Sequence, residues 1–527
     1  MKRREFLVTP LGLAACGRRE EGAPWDVIVY GATAGGVVAA VAAAREGLKA
    51  ALLEPGRHIG GMTSGGLGRT DHGRKETIGG YSLEFYKRVG RHYGEEITWY
   101  FEPKVAEKTL NEMLAEAGVR VYKQHRLQLD GGVSKRGRRI EEILMENGSA
   151  WRGTVFVDAT YEGDLMAKAG ASYTWGREGV NDYGESLAGV RPKDRNHQFD
   201  FPVSAYDDKG RLLADIQRGT RGELGVADKK VQAYNFRMCL SEDPKNQVPI
   251  PKPEGYDPRR YELLIRYLEG WRKHHGRIPE INQIFIWSRL ANPTKTDINN
   301  RSAVSTDYIG ASWDYPEANY ERRGQIWQEH INYTAGLFYF YQHDPRIPKP
   351  IQEEIRRWGL AADEFEDTAH WPHQLYVREA RRMVGDFVMT QKDIQTEITK
   401  PDVIGMGSYN SDSHNVQRYV QEDGTVQNEG NMEVPVTPYQ IPYRVMLPKR
   451  NEVENLLVPV CVSSTHVTYS TLRMEPVYMI MGQAAGVAAK LAIESRKVVQ
   501  DVNGEQLSQR LRKQGAIMEW AKPQAPG

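Results

Sequence analysis

The stretch WDVIVYGATAGGVVAAVAAAREGLKAALLEP, residues 25–55, leaves a chain like this few ways to fold. The apolar run DVIVY predicts a buried strand. Val37 to Glu46, rich in alanine, predicts a helix that Gly47 stops, and KAALLE predicts a second strand ending in Glu54. Gly31 and Gly36 hold the first and last positions of a G-x-G-x-x-G turn, with Thr33 in the middle. A strand, glycine turn, helix and strand closed by an acid is the layout of a dinucleotide-binding unit. The helix N-terminus offers N–H groups to a pyrophosphate, and the acid accepts hydrogen bonds from ribose hydroxyls. Thr33 crowds the backbone approach but brings a hydroxyl able to donate to a phosphate oxygen. The spacing therefore assigns Gly31, Ala32, Thr33, Ala34, Gly35, Gly36 and Glu54 to an adenosine-diphosphate-bearing cofactor.

Residues 56–80 hold nine glycines and few long apolar side chains, so they suit a backbone that approaches a ligand closely rather than a core. Helices are expected at Leu83–Tyr93 and Val105–Ala117. RVYKQHRLQL and Arg139–Glu146 look like paired strands, and WRGTVFVDATYEGDLMAKAG like a strand, a turn and a helix. From about 170 the chain turns rich in Pro, Asn, Tyr and Trp, with helices expected at Arg259–His275, Glu321–Tyr341 and Gln374–Val388. ENLLVPV then reads as a strand and Glu475–Glu494 as a small-residue helix. The expected organisation is an export signal and tether over 1–24, a nucleotide-binding domain in two pieces over 25–168 and 436–500, a substrate domain over 169–435, and a C-terminal tail over 501–527.

Seventy basic against sixty-nine acidic residues leave no net field for nucleic acid or anionic lipid. Three cysteines, Cys16, Cys239 and Cys461, lack metal-ligand spacing and suggest neither a metal site nor a disulfide framework. The sequence reading finds no apolar run of the roughly 20 residues a membrane span needs. MKRREFLVTPLGLAAC has the basic start, apolar stretch and small residues of an export signal. Arg3-Arg4-x-Phe6-Leu7 resembles a twin-arginine signal, and Leu13-Ala14-Ala15-Cys16 a bacterial lipobox. The expectation is a periplasmic or cell-surface protein that meets the membrane only through a lipid on Cys16.

Three further segments select flavin over nicotinamide: EPGRHIGGMTSGGLG after the second strand, VFVDATYEGD a hundred residues on, and STLRMEPVYMIMGQAAGVAA near the C-terminus. With DINNRSAVSTDYIGASWDYPEA and WPHQLYVREARRMVGDFVMT between them, the chain from Trp25 to about Ser495 resembles the FAD-dependent oxidoreductase family of bacterial secreted proteins, within the glutathione-reductase-like class. The resemblance implies an α/β fold: a Rossmann-like FAD-binding domain, discontinuous in sequence, with an inserted α+β substrate domain. It makes Thr33 an ordinary family feature, and adds Gly60, Gly61, Met62, Ser64, Gly65, Gly66, Asp158, Ala159, Thr160, Gly482, Gln483, Ala484 and Ala485 to the FAD-binding residues. Tyr161 departs from the pattern, which often has glycine there.

Pro476 suits the first turn of the last helix, where its missing N–H has no partner to lose. The helix N-terminus is expected to stabilise charge on reduced flavin by ~0.3–1 kcal/mol. His466 and Arg473 flank the turn into that helix: the histidine suits a proton acceptor and the arginine a carboxylate clamp. Tyr409, Asp412 and His414 in GSYNSDSHNVQRY form a second polar cluster, and Arg378, Arg381 and Arg382 in YVREARRM a third, with Arg378 sharing a helix face with Arg381 or Arg382. The expected catalytic set is His466, Arg473, His414, Tyr409 and Arg381. The expected function is hydride transfer between flavin and a small hydroxylated, sugar-like substrate, with an electron acceptor that the sequence does not name. Some relatives carry the label xanthan lyase. A carbohydrate lyase needs an acid and a base but no redox cofactor, and a non-catalytic glycan-binding surface protein is the third alternative.

Overall fold

The computed structural model describes residues 24–521. The export signal, with Arg3, Arg4 and Cys16, and the end of the tail lie outside the described residues. Strands β1 (Trp25–Tyr30), β2 (Ala50–Glu54), β3 (Arg120–Lys123), β4 (Val133–Arg136), β5 (Arg139–Leu144) and β6 (Ala150–Asp158) form one sheet in the order β3-β2-β1-β6-β5-β4. β3, β2, β1 and β6 run parallel, and β5 and β4 follow antiparallel. Leu456–Leu457, from the far end of the chain, joins the free side of β6 in parallel, which makes the nucleotide domain discontinuous.

Helix α1 (Ala34–Arg45) covers this sheet and packs against the helix Glu475–Ser495. Small residues permit the contact: a β-carbon at Gly482 would overlap the carbonyl oxygen of Gly35, and one at Gly486 would sit against Ala39 and Ala42. Glu475–Ser495 is long and apolar enough to cross a membrane, contrary to the sequence reading, yet 83% of its most apolar window is buried inside the protein. Its hydrophobicity serves the core.

The inserted part contains a five-stranded sheet in the order Phe285–Arg289, Lys295–Asn300, Met238–Ser241, Gly359–Ala361, Gln247–Val248, with every neighbouring pair antiparallel. The helices Glu262–His275 and Tyr320–His343 accompany it.

Four expectations need correction. RVYKQHRLQL does not pair as a strand with Arg139–Glu146: β3 adds in parallel to β2, β5 lies between β4 and β6, and only an isolated bridge joins Leu127 to Met145. Gln374–Val388 is extended rather than helical, with a two-residue strand at Arg382–Met383. Its backbone N–H groups go to distant partners, Tyr376 to Asn235 O, Met383 to Cys461 O and Val384 to Ser172 O, and these replace the i−4 bonds of a helix. The tail from 501 carries a further helix, Gly504–Lys513, whose Leu507 and Leu511 are buried. The apolar span in Glu475–Ser495 is the fourth.

His330, in Tyr320–His343, makes stability pH-dependent. Its ring is buried, with Nδ1 2.7 Å from Ile326 O, and burial lowers its pKa to about 4. Because the unfolded histidine titrates near 6.5, the unfolded chain binds the extra proton between those values. The contribution is therefore complete above pH ~6.5 and falls away as pH drops towards 4, by about 3 kcal/mol. Denaturant midpoints at pH 7 and 4.5 should differ more for the native protein than for His330→Phe; equal differences would discount this residue.

Candidate functional site

β1 ends at Tyr30, and Gly31 turns the chain with φ +92, where an added β-carbon would lie 2.7–2.9 Å from Thr160 and Ala159 atoms. A β-carbon at Gly36 would overlap Gly31 O. Thr33 is the N-cap of α1: its Oγ1 accepts from Gly36 N at 3.2 Å and donates to Ala159 O at 2.8 Å. The hydroxyl expected to donate to a phosphate instead fastens the helix to the end of β6. Glu54 accepts from Ala32 N at 2.8 Å and Gly56 N at 2.6 Å, and burial lifts its carboxyl to about 7 against the pull of those two donors.

A cavity of about 420 Å³ opens here, lined by Gly31, Thr33, Glu54, Gly61 and Thr160 and closed by Tyr320, Trp327 and His373 of the inserted part. It lies at the carboxyl ends of β1 and β6, where neighbouring connections depart in opposite directions, the place where open α/β sheets bind ligands. Its size falls in the ~300–1,000 Å³ range of cofactor sites.

The remaining cofactor candidates shape this place from behind. Asp158 is fully buried and brackets the turn, with Oδ1 accepting from Thr160 N and Oγ1 at 3.1 and 2.7 Å and Oδ2 from Met166 N at 2.8 Å; burial raises it to about 6. Gly60 N donates to Ala32 O at 2.6 Å, and Ser64 bonds Ile59 O. Gly65 and Gly66 admit neighbours, since β-carbons there would overlap Gln374 and the carbonyl of Arg237. Ala34 and Gly35 belong to the buried first turn of α1, and Gly482, Ala484 and Ala485 are likewise buried in the helix contact, away from the cavity lining. Gln483 accepts from Tyr81 N at 2.9 Å.

Tyr161, the departure from the family pattern, closes the N-terminus of Glu475–Ser495. Its hydroxyl donates to Glu475 Oε1 at 2.7 Å and accepts from Met62 N at 2.9 Å, while Thr63 Oγ1 reaches Glu475 Oε2 at 2.9 Å. Burial lifts Glu475 to about 7. The positive end of this helix thus faces its own acid and the glycine-rich segment.

A second chamber of about 140 Å³ gathers Tyr409, His414 and Arg473, three of the expected catalytic residues, with Arg69, Asp71, Arg237 and Tyr376. His414 Nδ1 lies 2.6 Å from Asp307 Oδ2. Burial raises Asp307, but Arg378 and His414 outweigh it and hold the carboxyl at about 2. His414 itself is lowered, by burial and then by Arg378. Arg473 donates to Asp412 O at 2.8 and 3.2 Å and to Tyr376 Oη at 3.1 Å, and Tyr409 Oη donates to Asp71 Oδ1 at 3.3 Å.

The other two candidates lie elsewhere. His466 is not in the chamber lining: its Nδ1 sits 2.7 Å from Glu379, which also pairs with Arg382. Arg381 donates to Glu317 at 2.6 Å and Asp164 at 2.7 Å, and so braces an acid of the larger cavity. Because the segment is extended, Arg378, Arg381 and Arg382 meet three different carboxylates, Asp307, Asp164 and Glu379, and share no helix face. Sequence reasoning missed Arg69, Asp71, Arg237 and Tyr376. Asp71, in GRTDHG at the end of the glycine-rich run, carried the one legible signal.

The sequence profile of the FAD dependent oxidoreductase family matches residues 26–511. The chain belongs to this family. The match spans both pieces of the nucleotide domain and the insertion, and FAD is the cofactor. No curated protein matches the chain. Among solved structures, similarity extends to L-proline dehydrogenase from P. horikoshii, at 14% identity and TM-score 0.23 over 36% of this chain and 63% of that one. It extends also to a flavin-containing monooxygenase from Stenotrophomonas maltophilia, at 19% identity and TM-score 0.21 over 30% and 43%. The chain spans less than two thirds of either length, and scores this low carry no argument about function. The cavity fits the cofactor on its own terms: a glycine turn at the switch point, a capped helix N-terminus and the Glu54 carboxylate at the end of β2 line one space.

Proposed function

We propose that the protein transfers a hydride between a small hydroxylated, sugar-like molecule held in the Tyr409–His414–Arg473 chamber and FAD, which supplies the two-electron couple. The observation that carries this reading is the His414–Asp307 pair. Nδ1 of His414 is tied to a carboxylate that stays ionised, and Nε2 makes no hydrogen bond within the described residues. A histidine oriented in this way, with its pKa lowered, is neutral at neutral pH and accepts a proton from a substrate hydroxyl. Arg473 and Tyr376 fix the substrate's other oxygens. The carboxylate of Asp71, hydrogen-bonded to Tyr409, limits where a second hydroxyl lies. His466 then acts on packing, through Glu379, rather than on the reacting hydroxyl.

The purified protein should be yellow and should bleach without oxygen when a substrate is added. His414→Ala should keep its FAD and bleach about 10²-fold more slowly, the scale of a lost general base. Bleaching of that variant at the native rate would remove His414 from the mechanism, and a colourless native protein would remove the redox reading.

A further inference from the structure

The polar chamber also discriminates by charge. Two of its guanidiniums sit beside carboxylates: Arg237 donates to Asp297 at 2.6 and 2.9 Å, and Arg473 lies 3.5 Å from the Asp412 carboxylate; outside the lining, Arg378 lies 3.1 Å from Asp307. On the rim Glu433 is 3.2 Å from His197, while Arg69 donates to Ser288 Oγ at 3.1 Å and Asp71 accepts from Tyr409, so these two opposite charges share the lining without pairing. The lining guanidiniums Arg69, Arg237 and Arg473 equal in number the lining carboxylates Asp71, Asp412 and Glu433, so a substrate carboxylate or amine meets no net formal charge of opposite sign. A charged ligand entering so buried a space without its own counter-charge would meet a desolvation penalty that a hydroxyl escapes.

Two lining groups remain unfilled. Nη1 of Arg237, a residue that is 1% exposed, has no hydrogen-bond partner among the described residues, and neither has Oδ1 of Asn300, at 2% exposure. One is a donor and the other an acceptor. A hydroxyl is a side group that can accept from the first or donate to the second without bringing charge, and unfilled buried groups of this kind normally have a ligand or water to satisfy them. At about 140 Å³ the chamber is too small for a whole cofactor and suits a small molecule or the terminal unit of a larger one.

From this balance we infer that the chamber recognises a neutral polyol and excludes its acidic and amino counterparts. The inference rests on the chamber being the substrate site proposed above. Recognition is carried by Arg237 as a donor and Asn300 as an acceptor, with Asp71 and Tyr409 available to neighbouring hydroxyls.

The test uses the FAD-loaded protein and two matched series: glycerol, glycerate and 3-amino-1,2-propanediol, then glucose, glucuronate and glucosamine. Binding is read by calorimetry and by the flavin difference spectrum, neither of which needs turnover. In at least one series the neutral member should bind about tenfold or more tightly than both charged members, a gap on the scale of one hydrogen bond. Its affinity should change less than about twofold between low and moderate salt, since a neutral ligand has no charge to screen. Asn300→Ala should weaken neutral binding about tenfold with FAD content unchanged. Glu433→Gln, on the half-exposed rim, removes one negative charge and should narrow the gap to the acid several-fold, which keeps the inference testable if Asn300→Ala does not fold. Charged members binding as well as neutral ones in both series, or no member of either series binding, would overturn it. Neutral polyols that bind but never bleach the flavin would sink the hydride reading alone.

Discussion

Gly36→Val should yield protein with almost no FAD. The Gly36 position leaves no volume for a side chain: a β-carbon would overlap Gly31 O and press on the Ala159 β-carbon. Its N–H is also the donor that Thr33 caps. To admit valine the turn must open, and with it the first turn of α1, whose N–H groups and partial positive charge would hold the pyrophosphate. Flavin released on denaturation, divided by protein, should fall to below about one tenth of the native ratio, since a displaced helix N-terminus forfeits several hydrogen bonds at once. Gly47→Ala is the control. Gly47 also has positive φ, +81, but nothing lies within 4 Å of an added β-carbon, so that variant should lose about 1 kcal/mol of stability and keep its colour. Equal flavin content in the two variants would show that the glycine turn is not the cofactor's anchor. Glu54→Ala should be milder than Gly36→Val, because it removes one acceptor and leaves the helix end in place.

The largest loss of stability is expected from Lys295→Met. The Lys295 ammonium is fully buried and sits 2.7 Å from Glu102, 2.6 Å from Asp363 and 2.9 Å from Glu364. Those three carboxylates lie within 4.8 Å of one another, close enough to resemble a metal site, but the lysine supplies the cation itself. Removing one member of a buried ion cluster typically costs about 3–5 kcal/mol, because the acids left behind keep their desolvation and lose counter-charge; here Lys104 still pairs with Asp363 and Glu102, and Glu364 loses its only ion pair among the described residues. Burial already lifts Glu364 to about 7 despite the lysine. Without it the acids would hold protons more tightly in the folded state than in the unfolded one, so folding gains at low pH and loses as pH rises. The gap in denaturant midpoint between native protein and variant should therefore shrink from pH 8 to pH 5. A gap of less than about 1 kcal/mol at pH 8 would mean that water reaches the cluster.

Local sequence was enough wherever neighbours in the chain are neighbours in space. The strand–turn–helix–strand of residues 25–55 was legible because Gly31, Gly36 and Glu54 work within one βαβ unit. α1 and Glu475–Ser495 were legible because their runs of helix-forming residues, the stop at Gly47 and Pro476 in the first turn act within each helix. The extended course of Gln374–Val388 was not legible, since its apparent helical spacing is overruled by backbone bonds to Asn235, Cys461 and Ser172, all more than 75 residues away.

The polar groups show the same division. Sequence determined that a glycine turn, an acid and a small-residue helix would assemble a cofactor domain, and it named Tyr409, His414 and Arg473 as polar candidates. Only the tertiary structure decided that Thr33 caps its helix and that Tyr161 seals Glu475. It also decided that His466 belongs to Glu379, whereas His414, through Asp307, belongs to the chamber. A buried charge must find its partner wherever the fold puts one, so the sorting of these arginines, acids and histidines is a property of long-range packing. Chain spacing shows which residues can carry charge, and burial decides which of them remain available to a ligand.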